Sequence, residues 1–229
     1  MSEYDVNHDT SDKYSLRGRV FRKVREDILN GRYHANDELK EATIGEELGV
    51  SRTPVREAFR QLELEGLIHI VPNKGAYVTG ITSSDVAEIY EIRELLEGLC
   101  ARRATERITK EQLDELEEII MLSEFHLAKG HAEQLIELDN RFHQLLYDAC
   151  QSKKLLHLLK DFHHYVQRER QKTLSDMERS KEAVAEHKAI VDAIREGDAA
   201  KAEKLADAHI CNAYRNMVKC GLGDQTQDN

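Results

Sequence analysis

The sequence predicts a mainly α-helical protein in two parts. The first is a winged helix-turn-helix of three helices plus a β-hairpin wing. The second is an all-α antiparallel bundle of six helices, or seven if one stretch divides. Three observations predict this. The 229 residues include only 2 Pro and 12 Gly, so long stretches run without a breaker. Apolar residues recur at helical spacing through most of the chain. One run, Leu67 to Thr79, instead has two β-rich segments around a turn signal. The expected divisions are a disordered lead over 1–13, a winged-helix domain over 14–80, a helical domain over 81–221 and a flexible tail over 222–229.

The elements follow in order. Leu16, Val20, Phe21, Val24 and Ile28 trace a first helix that stops at Asn30-Gly31. Thr43 to Leu48 gives a short second helix, with Thr43 and Glu46 spaced as a capping box, although Glu41 could equally begin it. Pro54 suits the first position of a third helix and pushes Thr53 toward the extended backbone of an N-cap. In that helix Val55, Phe59 and Leu62 form an apolar stripe, while Arg52, Arg56 and Arg60 follow at four-residue intervals on another face. Gly49 supplies the tight turn before it, which makes this the helix that would enter a DNA major groove. Leu67–Val71 and Ala76–Thr79, joined through Pro72, Asn73, Lys74 and Gly75, then form the hairpin. Its tip offers a cation and a small residue for close approach to a groove or phosphate. Beyond Thr82 a long helix is marked by Val86, Ile89, Leu96 and Leu99. Five more stretches follow, near 110–129, 132–150, 153–173, 181–196 and 198–219, punctuated by Thr109, Gly130, Gln151-Ser152, Ser180 and Gly197.

Composition bounds the function. No apolar run approaches the ~20 residues of a membrane span, and no signal pattern opens the chain, so a soluble cytoplasmic protein is expected. Four cysteines without a C-x-x-C pair read as reduced thiols. The formal net charge is -10, but residues 13–80 hold 12 Lys and Arg against 10 Asp and Glu. Contact with DNA therefore belongs to the N-terminal third, and the acidic remainder would discourage non-specific binding.

Residues 16–79 resemble the DNA-binding domain of the GntR family of bacterial transcription regulators. The run from Leu48 to Ala58 and the wing from Gly66 to Val78 carry the likeness. The resemblance implies DNA contacts by Arg52, Arg56 and Gly75. To these the residues themselves add Thr53, Arg60 and Lys74. One departure is Gly45, where the family usually has alanine, at a cost of up to ~1 kcal/mol in helix propensity.

The second candidate site is a metal constellation. Asp139 and His143 lie four residues apart on one helix face, bordered by Leu135, Phe142 and Leu146. His187 falls among Val184, Val191 and Ile194, and His209 among Ala202, Leu205 and Ala213. A lone histidine in an apolar stripe is usually a satisfied core residue. Three of them with an aspartate, all on inward faces of one bundle, suit a divalent ion: zinc first, with nickel, manganese or iron as alternatives. The pattern Asp139-x-x-x-His143, Glu186-His187 and Ala208-His209-Ile210 is similar to the FCD ligand-binding domain of the FadR branch of GntR regulators. Six helices point to its VanR-like subgroup. The likeness implies that these four residues bind a metal, which holds a carboxylate effector. Arg93 matches a family arginine facing the effector cavity, and could equally form an i,i+4 salt bridge with Glu97. His126, His131, His157, His163 and His164 lack the pattern and are expected at the surface.

The expectation is thus a homodimeric regulator, not an enzyme. A small organic acid would release it as a repressor from a palindromic DNA operator. Two rivals stand beside it: a metal-dependent enzyme acting on a small acid, and a constitutive DNA binder whose metal is purely structural.

Overall fold

A computed structural model describes residues 15–72 and 74–220, with the side chains of 168, 169, 171 and 172 left out. The expected lead over 1–13, the tail over 222–229 and Asn73 of the wing tip lie outside the described residues. The chain divides into two compact units between Ile81 and Thr82.

In the first unit α1 (Leu16–Leu29) opens where Ser15 Oγ accepts from the Gly18 amide at 2.9 Å. The next helix, α2 (Glu41–Leu48), takes the earlier of its two candidate starts. Lys40 precedes it without a side-chain cap, so the Thr43–Glu46 capping box does not form, and Glu41 places an acid at the positive end of the helix dipole. Gly45 lies inside α2, where an added Cβ would sit 2.9 Å from the Val50 carbonyl oxygen. Its missing side chain therefore serves the turn rather than only weakening the helix. That turn ends at Gly49, left-handed with φ 63°.

The third helix, α3 (Arg52–Leu64), begins two residues earlier than its proline suggests. Ser51 is the extended residue before it, and Pro54 takes the third helical position, where its missing N–H has no intrahelical acceptor to lose. Thr53 is consequently inside the helix and is not its cap. Val55, Ala58, Phe59 and Leu62 are buried against the rest of the unit.

The hairpin consists of β2 (Ile68–Val71) and β3 (Gly75–Val78), with Ile68 opposite Val78 and Val71 opposite Gly75. A third strand, β1 (Glu38–Leu39), pairs with the other side of β3 and was not expected from the sequence. Two residues carry no measurable alternation, and their partner lies far along the chain.

The second unit holds α4 (Ser83–Arg107), α5 (Lys110–Lys129), α6 (Ala132–Ala149), α7 (Lys153–Leu174), α8 (Met177–Arg195) and α9 (Ala199–Lys219). Reciprocal capping boxes start α4 (Thr82 with Asp85) and α5 (Thr109 with Gln112). Gly130, left-handed with φ 71°, ends α5. Helix α8 starts earlier than expected: Asp176 accepts from the Glu178 amide at 3.0 Å. Ser180, read as a breaker, is instead buried within α8 and donates its hydroxyl to the Leu174 carbonyl at 2.7 Å. Leu116, Ile119, Phe142, Leu146, Ile190 and Ile194 belong to a continuous apolar core. Among the described residues no helix is long and apolar enough to cross a membrane.

Candidate metal centre and nucleic-acid interface

Three helices converge on one buried point. From α6 come Asp139 and His143, one turn apart; α8 supplies His187 and α9 supplies His209, and all four are buried. A ligand nitrogen from each of His143, His187 and His209 lies within 4.8 Å of the others. The Nε2 atoms of His187 and His209 are 3.2 Å apart. Asp139 Oδ1 stands 3.8 Å from His187 Nε2 and 3.9 Å from His143 Nε2. Phe142 stacks on the His187 ring with centroids 3.9 Å apart, fixing that imidazole by packing.

The tautomers follow from the outer partners. A carboxylate only accepts, so His143 Nδ1 donates to Glu97 Oε2 at 3.0 Å and His209 Nδ1 donates to Glu186 Oε2 at 2.7 Å. Each of these rings is left with an Nε2 lone pair on its other edge, the arrangement carboxylates impose on metal-binding histidines. His143 Nε2 is buried with no hydrogen-bond partner. An orphaned buried acceptor amid imidazoles and a carboxylate is chemically suited to a divalent ion of the zinc type.

Among the described residues, Arg93, Arg170 and Arg179 pair with carboxylates at this cluster. Arg93 donates from Nε and Nη2 to Glu97 Oε1 at 2.9 and 2.5 Å, and its Nη1 is buried without a partner. Arg170 Nη2 donates to Asp139 Oδ2, while Nη1 reaches His163 Nδ1 at 2.6 Å. Arg179 donates to both oxygens of Glu186 at 3.2 and 3.0 Å. A small cavity is lined by Arg93, Asp139, Arg170, Thr173, Arg179 and His209, among others.

Electrostatics follow from burial. Desolvation pushes His143 down to about 4 against the opposing pull of Glu97, and holds His187 and His163 well below the usual imidazole range. For Glu97 burial works upward, yet Arg93 and His143 keep it well below the carboxylate range. Glu186 is brought to about 2 because hydrogen bonds from His209 and Arg179 outweigh its burial.

The four metal candidates thus meet, and the Arg93–Glu97 salt bridge forms in the interior. His163, expected at the surface, is half-buried against the cluster. Its Nε2 donates to Asn140 Oδ1 at 2.8 Å, and its ring centroid is 5.6 Å from that of His143. His131, His157 and His164 are exposed, as expected, and His126 is half-buried. Sequence reasoning missed the roles of Glu97, Arg170, Arg179 and Glu186 as partners of the cluster. The available signal was spacing: His163 and Arg170, like Arg179 and Glu186, lie seven residues apart on one helical face.

In the first unit Arg52, Thr53, Arg56 and Arg60 are exposed along α3. Arg52, Arg56 and Arg60 border a groove whose other walls include Glu38, Glu41 and Gly75. Arg56 Nε donates to Glu41 Oε1 at 2.8 Å and Arg60 Nη1 to Glu57 Oε1 at 3.0 Å, both in water. Exposed pairs of this kind are weak and exchange readily for a phosphate or a base edge. Lys74 is exposed in the wing turn, and Gly75 has φ 127°, a backbone that a side chain would strain.

A three-helix winged module followed by a separate all-helical unit with a polar heart defines the class of two-domain transcription regulators. Residues 16–78 match the bacterial regulatory proteins of the gntR family, and residues 88–212 match the FCD domain. The chain belongs to the GntR family of transcription regulators, in the group that carries an FCD domain. It is a regulator and not an enzyme. Among its relatives is the uncharacterized HTH-type transcriptional regulator YdhC of Bacillus subtilis, 29% identical over 95% of this chain and 98% of that one. Another is the HTH-type transcriptional repressor RspR of Escherichia coli, 29% identical over 84% of both. The gluconate operon transcriptional repressor of Bacillus subtilis is 32% identical over 60% of this chain and 56% of its own length. The E. coli McbR/YncC structure shares the fold with a TM-score of 0.68, at 20% identity over 90% of this chain and 99% of that one.

Proposed function

We propose that this regulator senses a small organic acid at a metal centre and, as a cytoplasmic homodimer, represses from a palindromic operator that it releases when the acid binds. One observation carries the reading: the buried, partnerless His143 Nε2 beside the Nε2 atoms of His187 and His209 and the carboxylate of Asp139. Asp139, His143, His187 and His209 would hold a divalent ion, with zinc favoured over nickel, manganese or iron. Bound there, the ion supplies an electrophilic seat for a carboxylate. Arg93, whose free Nη1 belongs to a cavity-lining side chain, would contact the rest of the acid.

On the DNA side Arg52, Thr53, Arg56 and Arg60 would enter the major groove, with Lys74 and Gly75 approaching the backbone from the wing. Exposed Ile92 and Leu95 on α4, and Met121 and Phe125 on α5, offer apolar surface for a second copy. Repression as the sign is supported by relatives described as repressors. Acid binding would favour an arrangement of the paired DNA heads that no longer fits both half-sites.

Native mass spectrometry of the freshly purified chain tests the assembly and the ion together. A dimer carrying one divalent ion per chain is expected, with the ion lost in His143→Ala. A metal-free monomer from zinc-supplemented cells would contradict the reading.

A further inference from the structure

We infer that His126 and His131 form a second, surface metal site, a two-imidazole clip for a divalent transition ion such as copper, built from residues outside the buried cluster. Their Nδ1 atoms face each other at 3.0 Å, with ring centroids 5.2 Å apart. Nitrogens about 2.0–2.1 Å from a common ion stand roughly 2.9–3.4 Å apart as the angle at the ion opens from right-angled to tetrahedral. The pair therefore already has the bite of a chelate. Without an ion one Nδ1 donates and the other accepts, so a single proton lies between them. When an ion takes its place, the donor ring carries that proton on Nε2 instead, and both rings remain neutral ligands.

The backbone fixes this meeting. Helix α5 closes in a Schellman turn: the His131 amide donates to the His126 carbonyl at 3.0 Å, the Gly130 amide donates to the Leu127 carbonyl at 3.2 Å, and Gly130 is left-handed with φ 71°. The two residues joined by the longer of these bonds commonly make an apolar contact across such a turn. Here both are histidines, and the turn that ends the helix holds two ring nitrogens side by side. Phe125 meets the His126 ring edge-on, with centroids 5.2 Å apart, and gives it a wall. His131 is exposed and His126 half-buried, so an ion reaches the pair without opening the core. Among the described residues the group of three candidate ligands is the buried one, which leaves the other coordination positions at this pair to water. Copper is the ion of choice for a test, because a site of this kind binds Cu(II) ahead of the other first-row divalent ions.

The test titrates Cu(II) into the full-length protein purified with zinc, and reads stoichiometry together with the electron paramagnetic resonance spectrum. A Cu(II) ion whose spectrum shows two imidazole nitrogens is expected on each chain. His126→Ala and His131→Ala should each weaken its binding about tenfold or more and leave a spectrum with one such nitrogen, while zinc content stays as in the wild type. His157→Ala, which removes an exposed histidine on another helix, should leave the copper spectrum and affinity unchanged. Equal copper binding by the wild type, His126→Ala and His131→Ala overturns the proposal, and so does the absence of a two-nitrogen spectrum. Either result assigns the pair to an imidazole–imidazole hydrogen bond alone. Failure of the protein to hold zinc bears only on the buried centre, because the comparison between wild type and surface variants is read in the same way without it.

Discussion

His143 is tied on one ring nitrogen and open on the other. Glu97 accepts from Nδ1, Arg93 secures Glu97, and nothing among the described residues satisfies Nε2. His143→Ala should therefore lower zinc stoichiometry in elemental analysis, and unchanged stoichiometry would remove it from the ligand set. Glu97→Gln keeps the size of the side chain but removes the charge that orients the imidazole. Zinc affinity should fall about 10- to 100-fold in a competition with a chelator, as for other carboxylates behind metal-bound histidines. On the DNA side, Arg56→Ala should weaken operator binding about tenfold to a hundredfold if it reads a base edge, with an unchanged melting temperature. A lowered melting temperature would assign Arg56 to structure instead. The four candidate ligands were legible in the sequence because each polar residue interrupts an apolar stripe. The contacts of Glu97 with His143 and of Arg170 with Asp139 were not, because a charge on a helix reads the same whether it faces water or a buried partner.

The helix-turn-helix depends on a backbone turn as much as on side chains. Gly49 adopts φ 63° with open space around the position of a Cβ, so Gly49→Ala should cost about 1 kcal/mol through strain alone. Chemical denaturation would register this as an earlier transition of the winged module, and Asn at the same site should recover part of the loss. Phe59→Ala should cost more, about 3–5 kcal/mol, since the ring is buried on the inner face of α3. The nine helices of the described residues were expected from apolar stripes together with caps and breakers, because helix signals are local. Their ends were less so: Ser51 rather than Thr53 opens α3, and Asp176 opens α8, since several capable residues compete at each terminus. Strand β1 escaped altogether, being two residues whose partner Ala76-Tyr77 is distant in sequence.

At the scale of the molecule, buried neutral histidines make stability depend on pH. His143 titrates at about 4 in the folded protein, and His187 and His163 are also held well below the imidazole range. An unfolded histidine takes up its proton near ~6.5. Between those values the unfolded state binds more protons. The stabilising contribution is thus complete above about pH 6.5 and is lost as pH falls toward 4, at up to about 1.4 kcal/mol per pH unit for each histidine. The denaturation midpoint of metal-free protein should accordingly drop from pH 7 to pH 5, and a flat profile would argue against neutral burial. The central claim is that the cluster on α6, α8 and α9 governs what the arginines of α3 do. The direct test is fluorescence anisotropy of an operator duplex, selected from random sequence, bound by zinc-loaded protein during titration with small organic acids. The account predicts that an acid lowers operator affinity in the wild type and has no effect in His187→Ala, although that variant still binds the duplex. Operator affinity that no acid changes, with zinc removal lowering only the melting temperature, would contradict it.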